Sequence, residues 1–180
     1  MDASILIRPA TEADAPDLLD IYRPFVESTA VSFEYVPPSV DEFARRIAKS
    51  LADWQWLVAE HDGRCVGYAY GGSHRERAGY RWSVEVSAYV HPGHLRRGLG
   101  RALYTRLFDD LARRGYRNAY AGIALPNDAS VALHRRLGFE YIGVFKAVGR
   151  KFDRWHDVAW YQRPLPFPGV GGVEAAESVG

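Results

Sequence analysis

Three groups of residues have the types and spacing to do chemistry. The first is Arg96-Arg97-Gly98-Leu99-Gly100-Arg101, which follows the apolar run Val86 to Val90 after a break at Pro92 and Gly93. It opens a helical pattern in which Leu103, Leu107 and Leu111 recur every four residues. A strand, a glycine turn and a helix start together make an anion site. The first helix amides lack internal partners, and the macrodipole places about half a positive charge there. Gly98 and Gly100 admit a close backbone approach, and Arg96, Arg97 and Arg101 suit phosphate. The pattern fits a pyrophosphate cradle; it also fits an ordinary strand-to-helix turn with solvated arginines. There is no GxxxxGK[ST] run, and Leu103 breaks the GxGxxG order, so it is neither a P-loop nor a dinucleotide fingerprint.

The second group is Glu85 in Ser83-Val84-Glu85-Val86, within a strand pattern that otherwise alternates apolar residues. A carboxylate half-buried there has its pKa pushed up, which suits proton abstraction; a solvated strand glutamate is the commoner situation. The third is Asn127 and His134, seven residues apart and so on one helix face. Asn127 also reads as a plain helix cap, and His134 as either a proton donor or an idle surface histidine. His61, His74, His91, His94 and His156 invite a metal, but His91-Pro92-Gly93-His94 lacks a Cys or further His at ligand spacing. These histidines read as structural, and no metal is expected.

The elements that must position these residues follow from periodicity and punctuation. Ile5 to Arg8 reads as a strand, and Thr11 with Asp14 as a capping signal for a helix carrying Leu18, Leu19, Tyr22 and Phe25. Ser28 to Pro38 is a loop bearing Phe33 and Tyr35. Ser39 caps a second helix to about Leu51. Trp56 to Glu60, Asp62-Gly63 and Val66 to Tyr70 form a hairpin. Gly71 to Gly79 is a loop, Trp82 to Val90 a strand, and Gly115 stops the helix that follows. Asn118 to Leu125 is a strand, and a helix from Asn127 ends at Gly138. Phe139 to Phe145 and Val158 to Gln162 are two closing antiparallel strands. The order is βααβββαβαββ: an α/β chain with a mixed sheet and helices.

The chain of 180 residues, 47% hydrophobic and 13% aromatic, suits one packed domain. Its net charge of +1 implies no general polyanion affinity, so no nucleic-acid partner is expected. Cys65 is the only cysteine, which rules out an internal disulfide. No apolar run approaches the ~20 residues of a membrane span, and the first residues have neither basic nor apolar signal regions. A cytoplasmic protein without a membrane partner is expected.

The cradle resembles the acyl-CoA motif of the GNAT family (Gcn5-related N-acetyltransferases), Arg/Gln-x-x-Gly-x-Gly/Ala, with Gly98 and Gly100 as its glycines and Leu95 at the Arg/Gln position. Asn127 and Gly138-Phe139 also match, with His134 where the family usually has Tyr. A more specific likeness is to the phosphinothricin N-acetyltransferase branch. It rests on Thr29-Ala30-Val31-Ser32-Phe33, Tyr89-Val90-His91-Pro92, Leu125-Pro126-Asn127, Ser130 to His134, Leu137-Gly138-Phe139 and Lys151 to Val158. His134 is this branch's own residue, whereas Arg150 stands where an aromatic often occurs.

The resemblance spans roughly Ile5 to Leu165. It implies a GNAT acyl-CoA N-acyltransferase fold over 1–165, with a central, twisted, mostly antiparallel sheet, and a disordered tail over 166–180. It also implies acetyl-CoA as co-substrate and a homodimer. Transfer to an amine needs a base for the ammonium, donors for the thioester oxygen and an acid for the thiolate. The resemblance assigns Glu85 as base and His134 as acid. Ala88, Tyr89, Val90, Arg96, Arg97, Gly98, Leu99, Gly100, Arg101 and Asn127 are expected at the cofactor, with a bulge splaying the strand after Glu85. The branch implies a small amino-acid-like amine; Arg75, Arg77 and Tyr80 are expected to hold its carboxylate and Phe33 to wall its pocket. Acetylation of another small amine or a protein N-terminus, or a non-catalytic acyl-CoA sensor, are the competing readings.

Overall fold

A computed structural model describes residues 5–166. The expected tail therefore lies outside the described residues except for Pro166. The strands are β1 (Leu6–Pro9), β2 (Trp56–His61), β3 (Arg64–Ser73), β4 (Ser83–Val90), β5 (Asn118–Ala124), β6 (Glu140–Lys151) and β7 (Arg154–Pro164). The helices are α1 (Ala15–Ser28), α2 (Val40–Asp53), α3 (Leu99–Arg113) and α4 (Asp128–Arg136). The strands form one seven-stranded sheet in the order β1-β2-β3-β4-β5-β7-β6. Every pairing is antiparallel except β4 with β5.

Alternation along the strands divides the core between two faces. Leu57, Ala59, Ala69, Val84 and Val86 turn toward α3, whose Leu103, Leu107 and Leu111 are fully buried. Burial of each such leucine stabilises the fold by roughly 2 kcal/mol. Trp56, Val58 and Tyr68 turn the other way, against Leu18, Leu19 and Val26 of α1 and Phe43 and Ile47 of α2. Because successive residues face opposite sides, Val84 and Val86 put Glu85 on the face opposite α3, where the segment between α1 and α2 crosses.

Local signals held where they were strong. Asp14 accepts from Thr11 N at 2.7 Å, although the turn it makes is a short 3-10 segment, Glu12–Asp14, before α1. Ser39 Oγ accepts from Glu42 N and caps α2. Asp62 and Gly63 both have positive φ and close the β2–β3 hairpin.

Two expectations change. β3 runs on through Gly71 to Ser73, because Gly71 fits tightly between Val84 and Trp54. The last two strands extend well past their apolar cores into one long hairpin. Its turn is Phe152-Asp153, both in the left-handed region, which carries no glycine to announce it. The pairing slips between Phe145 and Gly149, around Ala147 at φ 48°. Asp157 steadies that slip by accepting from Ala147 N and Lys146 Nζ, each at 2.8 Å.

Candidate active site

The cleft is opened by strand divergence. β4 pairs with β5 over only three positions, Ser83–Asn118, Val84–Ala119 and Glu85–Tyr120. From Ala121 onward β5 continues its pairing with β7, so the β4 edge from Val86 to Val90 is no longer claimed by β5. The expected bulge is not what does this: β4 keeps an uninterrupted register with β3 from Val84–Ser73 to Val90–Gly67. The gap opens into a cleft of about 910 Å³, lined by Ala88, Tyr89 and Val90 on one side and Ile123 and Ala124 on the other.

The mouth of the cleft is the start of α3. Arg96 and Gly98 both adopt left-handed backbone, at φ 61° and 78°. α3's own hydrogen bonding begins at Ala102 N, which donates to Gly98 O. The amides of 99–101 therefore have no acceptor inside the helix and face an anion-accepting end. Arg96, Gly98, Leu99, Gly100 and Arg101 all line the cleft. The two glycines work differently. Gly98 supplies a conformation that other residues rarely adopt. At Gly100 a Cβ would lie 3.1 Å from Leu133 Cδ2, so its smallness lets α3 approach α4. Asn127 caps α4 through Ser130 N at 3.1 Å and lines the cleft as well.

The cleft floor holds His134, only 4% exposed. Its Nδ1 lies 2.8 Å from Ser130 O, a contact that requires Nδ1 to carry a proton. In the neutral ring Nε2 is then the acceptor, and Tyr104 Oη lies 3.2 Å from it. Burial holds the His134 pKa below its ordinary value and pushes that of Tyr104 far up, so both groups rest neutral. Both line the cleft.

A second cavity, of about 300 Å³, adjoins this cleft and shares Val31, Val86, Ser87, Gly122 and Ala124 with it. Its remaining walls are Phe33, Phe145, Val148, Val158 and Trp160, and Glu85 lies among them. Burial raises the Glu85 pKa, and a hydrogen bond from His74 opposes the rise: Nδ1 lies 3.0 Å from Oε1.

The wall that carries Phe33 is pinned from two sides. Ser32 meets Tyr22 Oη at 2.7 Å, and Glu34 accepts from Tyr22 and from Arg46. From the hairpin, the buried Lys151 donates to Val26 O and Ser32 O, and Arg150 O accepts from Tyr35 Oη. Phe33 lies flat on Gly149, where a Cβ would come within 2.4 Å of its ring.

With this geometry in view, likeness to known proteins becomes specific. The acetyltransferase (GNAT) domain matches residues 7–160. A phosphinothricin N-acetyltransferase of Streptomyces coelicolor is 40% identical over 91% of this chain and 98% of its own. An L-methionine sulfoximine/L-methionine sulfone acetyltransferase of Salmonella typhimurium is 39% identical over 88% of this chain and 94% of its own. A solved GNAT phosphinothricin acetyltransferase from Sinorhizobium meliloti, in complex with AcCoA, superposes with a TM-score of 0.87. It is 36% identical, covering 98% of this chain and 96% of that one.

The chain belongs to the GNAT family of N-acetyltransferases.

The structure brings most of the GNAT residues read from sequence to one place. The cofactor set lines the cleft except Arg97, which is exposed and outside its walls; Glu85 and Phe33 line the second cavity. Arg75, Arg77 and Tyr80 do not form its walls. They stand on an exposed rim loop, from which Arg75 still acts electrostatically on Glu85. The loop is exposed from Arg75 to Tyr80, and Tyr80 packs edge-on against the His74 ring at 6.0 Å, outside the cavity walls.

Sequence reasoning missed His74, Tyr104 and Lys151. His74 had no motif around it. Tyr104 hid in the apolar stripe of α3, and Lys151 stood between the two expected closing strands, noted only as the first residue of the Lys151 to Val158 block. The Lys151 to Val158 block forms the end of the long hairpin and does not enter either cavity except at Val158. Trp155 is 65% exposed, and His156 Nε2 bonds to Lys151 O instead of to Asp157. The rings of His61, His91 and His94 lie close together, yet no group of three or more His, Cys, Asp or Glu among the described residues is arranged to hold a metal ion. No helix among them is long and apolar enough to cross a membrane.

Proposed function

We propose that the domain over 1–165 N-acetylates the α-amine of a small amino-acid-like substrate, of the phosphinothricin, methionine sulfoximine or methionine sulfone type, from acetyl-CoA by direct transfer. The observation that carries this reading is the junction of the two cavities. An open cleft with anion-accepting amides at one end runs into a small, largely apolar chamber, and Glu85 stands in that chamber. The residues fit acetyl-CoA: the amides of 99–101 with Arg96 and Arg101 would take the pyrophosphate, and the free edge of Val86 to Val90 would pair with the pantetheine arm. When bound, acetyl-CoA supplies the activated acetyl group.

The protein's own residues do the rest. Glu85, whose basicity is raised by burial, accepts the ammonium proton and frees the amine lone pair. Phe33, Val148 and Trp160 keep water from the amine and set the size of the side chain admitted. Arg75 and Arg77 offer charge at the rim for the substrate carboxylate. Tyr104 and His134 form the proton-bearing pair at the cleft floor, where the departing thiolate is neutralised. The edge strand β6 and its hairpin expose Tyr141, Ile142, Phe145, Val148, Phe152 and Trp155 at about half or more of their surface, which supports this face as the one a homodimer would use.

The test is thiol release from acetyl-CoA with phosphinothricin, methionine sulfone, a polyamine and a short peptide in parallel. Release with the first two alone supports the substrate class; release with the polyamine or peptide alone refutes it. Glu85→Gln should lower kcat by about two to four orders of magnitude and leave acetyl-CoA affinity unchanged. Undiminished kcat would remove Glu85 as base.

A further inference from the structure

The family likeness says nothing of His74, and the Glu85 geometry calls for it. A carboxylate in a chamber with apolar walls has two faults as a base. Low polarity favours its protonated form, and a single strand side chain has rotational freedom. His74 meets both. It follows β3 directly, and its ring stacks on Tyr120 at 4.2 Å and 10°. Tyr80 and Trp160 meet it edge-on at 6.0 and 6.3 Å. Only 13% of the side chain is exposed. So confined, Nδ1 is aimed at Glu85 Oε1, 3.0 Å away.

We propose that His74 is the positioning residue of the base: its Nδ1–H fixes the Glu85 carboxylate in the amine chamber and holds it in the proton-accepting form. This rests on the reading of Glu85 as base. A hydrogen bond to the charged form favours that form, so His74 widens the pH range over which Glu85 works. The other titratable or charged groups facing Glu85 are Arg75 on the rim loop and Tyr70 on β3, with Tyr120 of β5 and Tyr80 behind the His74 ring. Of these, only Arg75 joins His74 in lowering the Glu85 pKa. The Arg75 contribution is common to every variant below.

Activity falls as pH drops through the Glu85 pKa. Loss of the His74 donor raises that pKa, so the acid limb moves to higher pH.

The experiment measures kcat/KM against pH with the full chain, acetyl-CoA and the best amine of the panel. His74→Phe keeps a ring to stack on Tyr120 but has no donor. His74→Asn places an N–H close to the Nδ1 position. The acid limb of His74→Phe should shift up by on the order of one pH unit, while His74→Asn stays near the parent and the KM for acetyl-CoA is unchanged in both. A His74→Phe limb that coincides with the parent overturns the inference. So does a loss equal at all pH values that Asn fails to rescue, since a packing role would act that way. Glu85→Gln, run alongside, separates the two claims. If it abolishes the acid limb and most of kcat while His74→Phe moves nothing, Glu85 stands as base and His74 falls. If Glu85→Gln keeps full activity, both fall.

Discussion

The two adjoining cavities are built by opposite means. The cleft is made chiefly of backbone: a strand edge released after Glu85, a left-handed turn at Arg96 and Gly98, and the free amides at the start of α3. These three features arise within one stretch of chain, from Ser83 to Arg101, while β5 and α4 supply the facing wall and the cap at Asn127. The smaller chamber, where we place the amine, is made of side chains brought together from far apart in sequence. Phe33 lies on Gly149, Lys151 reaches Val26 and Ser32, Tyr35 reaches Arg150, and His74 is wedged among Glu85, Tyr120 and Trp160. Backbone geometry of this kind suits one invariant ligand with little dependence on side chains. A side-chain chamber can change its guest without disturbing the cofactor.

If the halves are separable in this way, one substitution in each should affect only its own ligand. Gly149→Ala should have the larger effect. Its Cβ would overlap the Phe33 ring, and the ring, as the part that can give, moves into the chamber. Overpacking of this kind costs about 1–3 kcal/mol. The KM for the amine should rise by roughly tenfold to a hundredfold, with that for acetyl-CoA unchanged in the same steady-state series. Equal rises in both would show the cavities to be one unit. Gly98→Ala is the counterpart. Holding φ at 78° with a Cβ costs about 1–2 kcal/mol. Calorimetric titration should find acetyl-CoA binding weakened by roughly five- to thirtyfold, with the amine KM in place.

The same contrast explains what could be read from sequence. The main strands and helices lie where periodicity and caps put them, with β3 and the last two strands running longer, and the cleft was legible because most of its signals are contiguous: Gly98, Gly100 and the Leu103–Leu107–Leu111 stripe, with Asn127 beyond them. The chamber was legible only at Glu85, which interrupts an apolar strand, and at Phe33, through a likeness. His74 and Lys151 owe their places to contacts with no local signature. Arg75 and Arg77 were placed by nearness in sequence to the catalytic strand, which does not predict which way a rim loop turns. The Phe152-Asp153 turn lacked the glycine or asparagine that would have marked it.

His134 and Tyr104 are the exception in the cleft, since they are side chains at its floor, and they yield the smallest effect. Burial keeps the His134 ring neutral, so its pKa in the fold lies below the ordinary 6.5. As pH falls below 6.5 the unfolded chain takes up a proton that the fold refuses. Stability therefore declines through that window, and the loss is complete only below the folded-state pKa. His134→Gln removes the titrating group while leaving an amide able to hydrogen-bond. The melting temperature of the parent should fall more steeply than that of the variant between pH 7 and 5, with parallel curves above pH 7. Curves parallel throughout would mean that His134 titrates freely in the fold. The cleft floor would then be open to proton exchange with solvent, and the division between a backbone-built cleft and a side-chain-built chamber would need no exception.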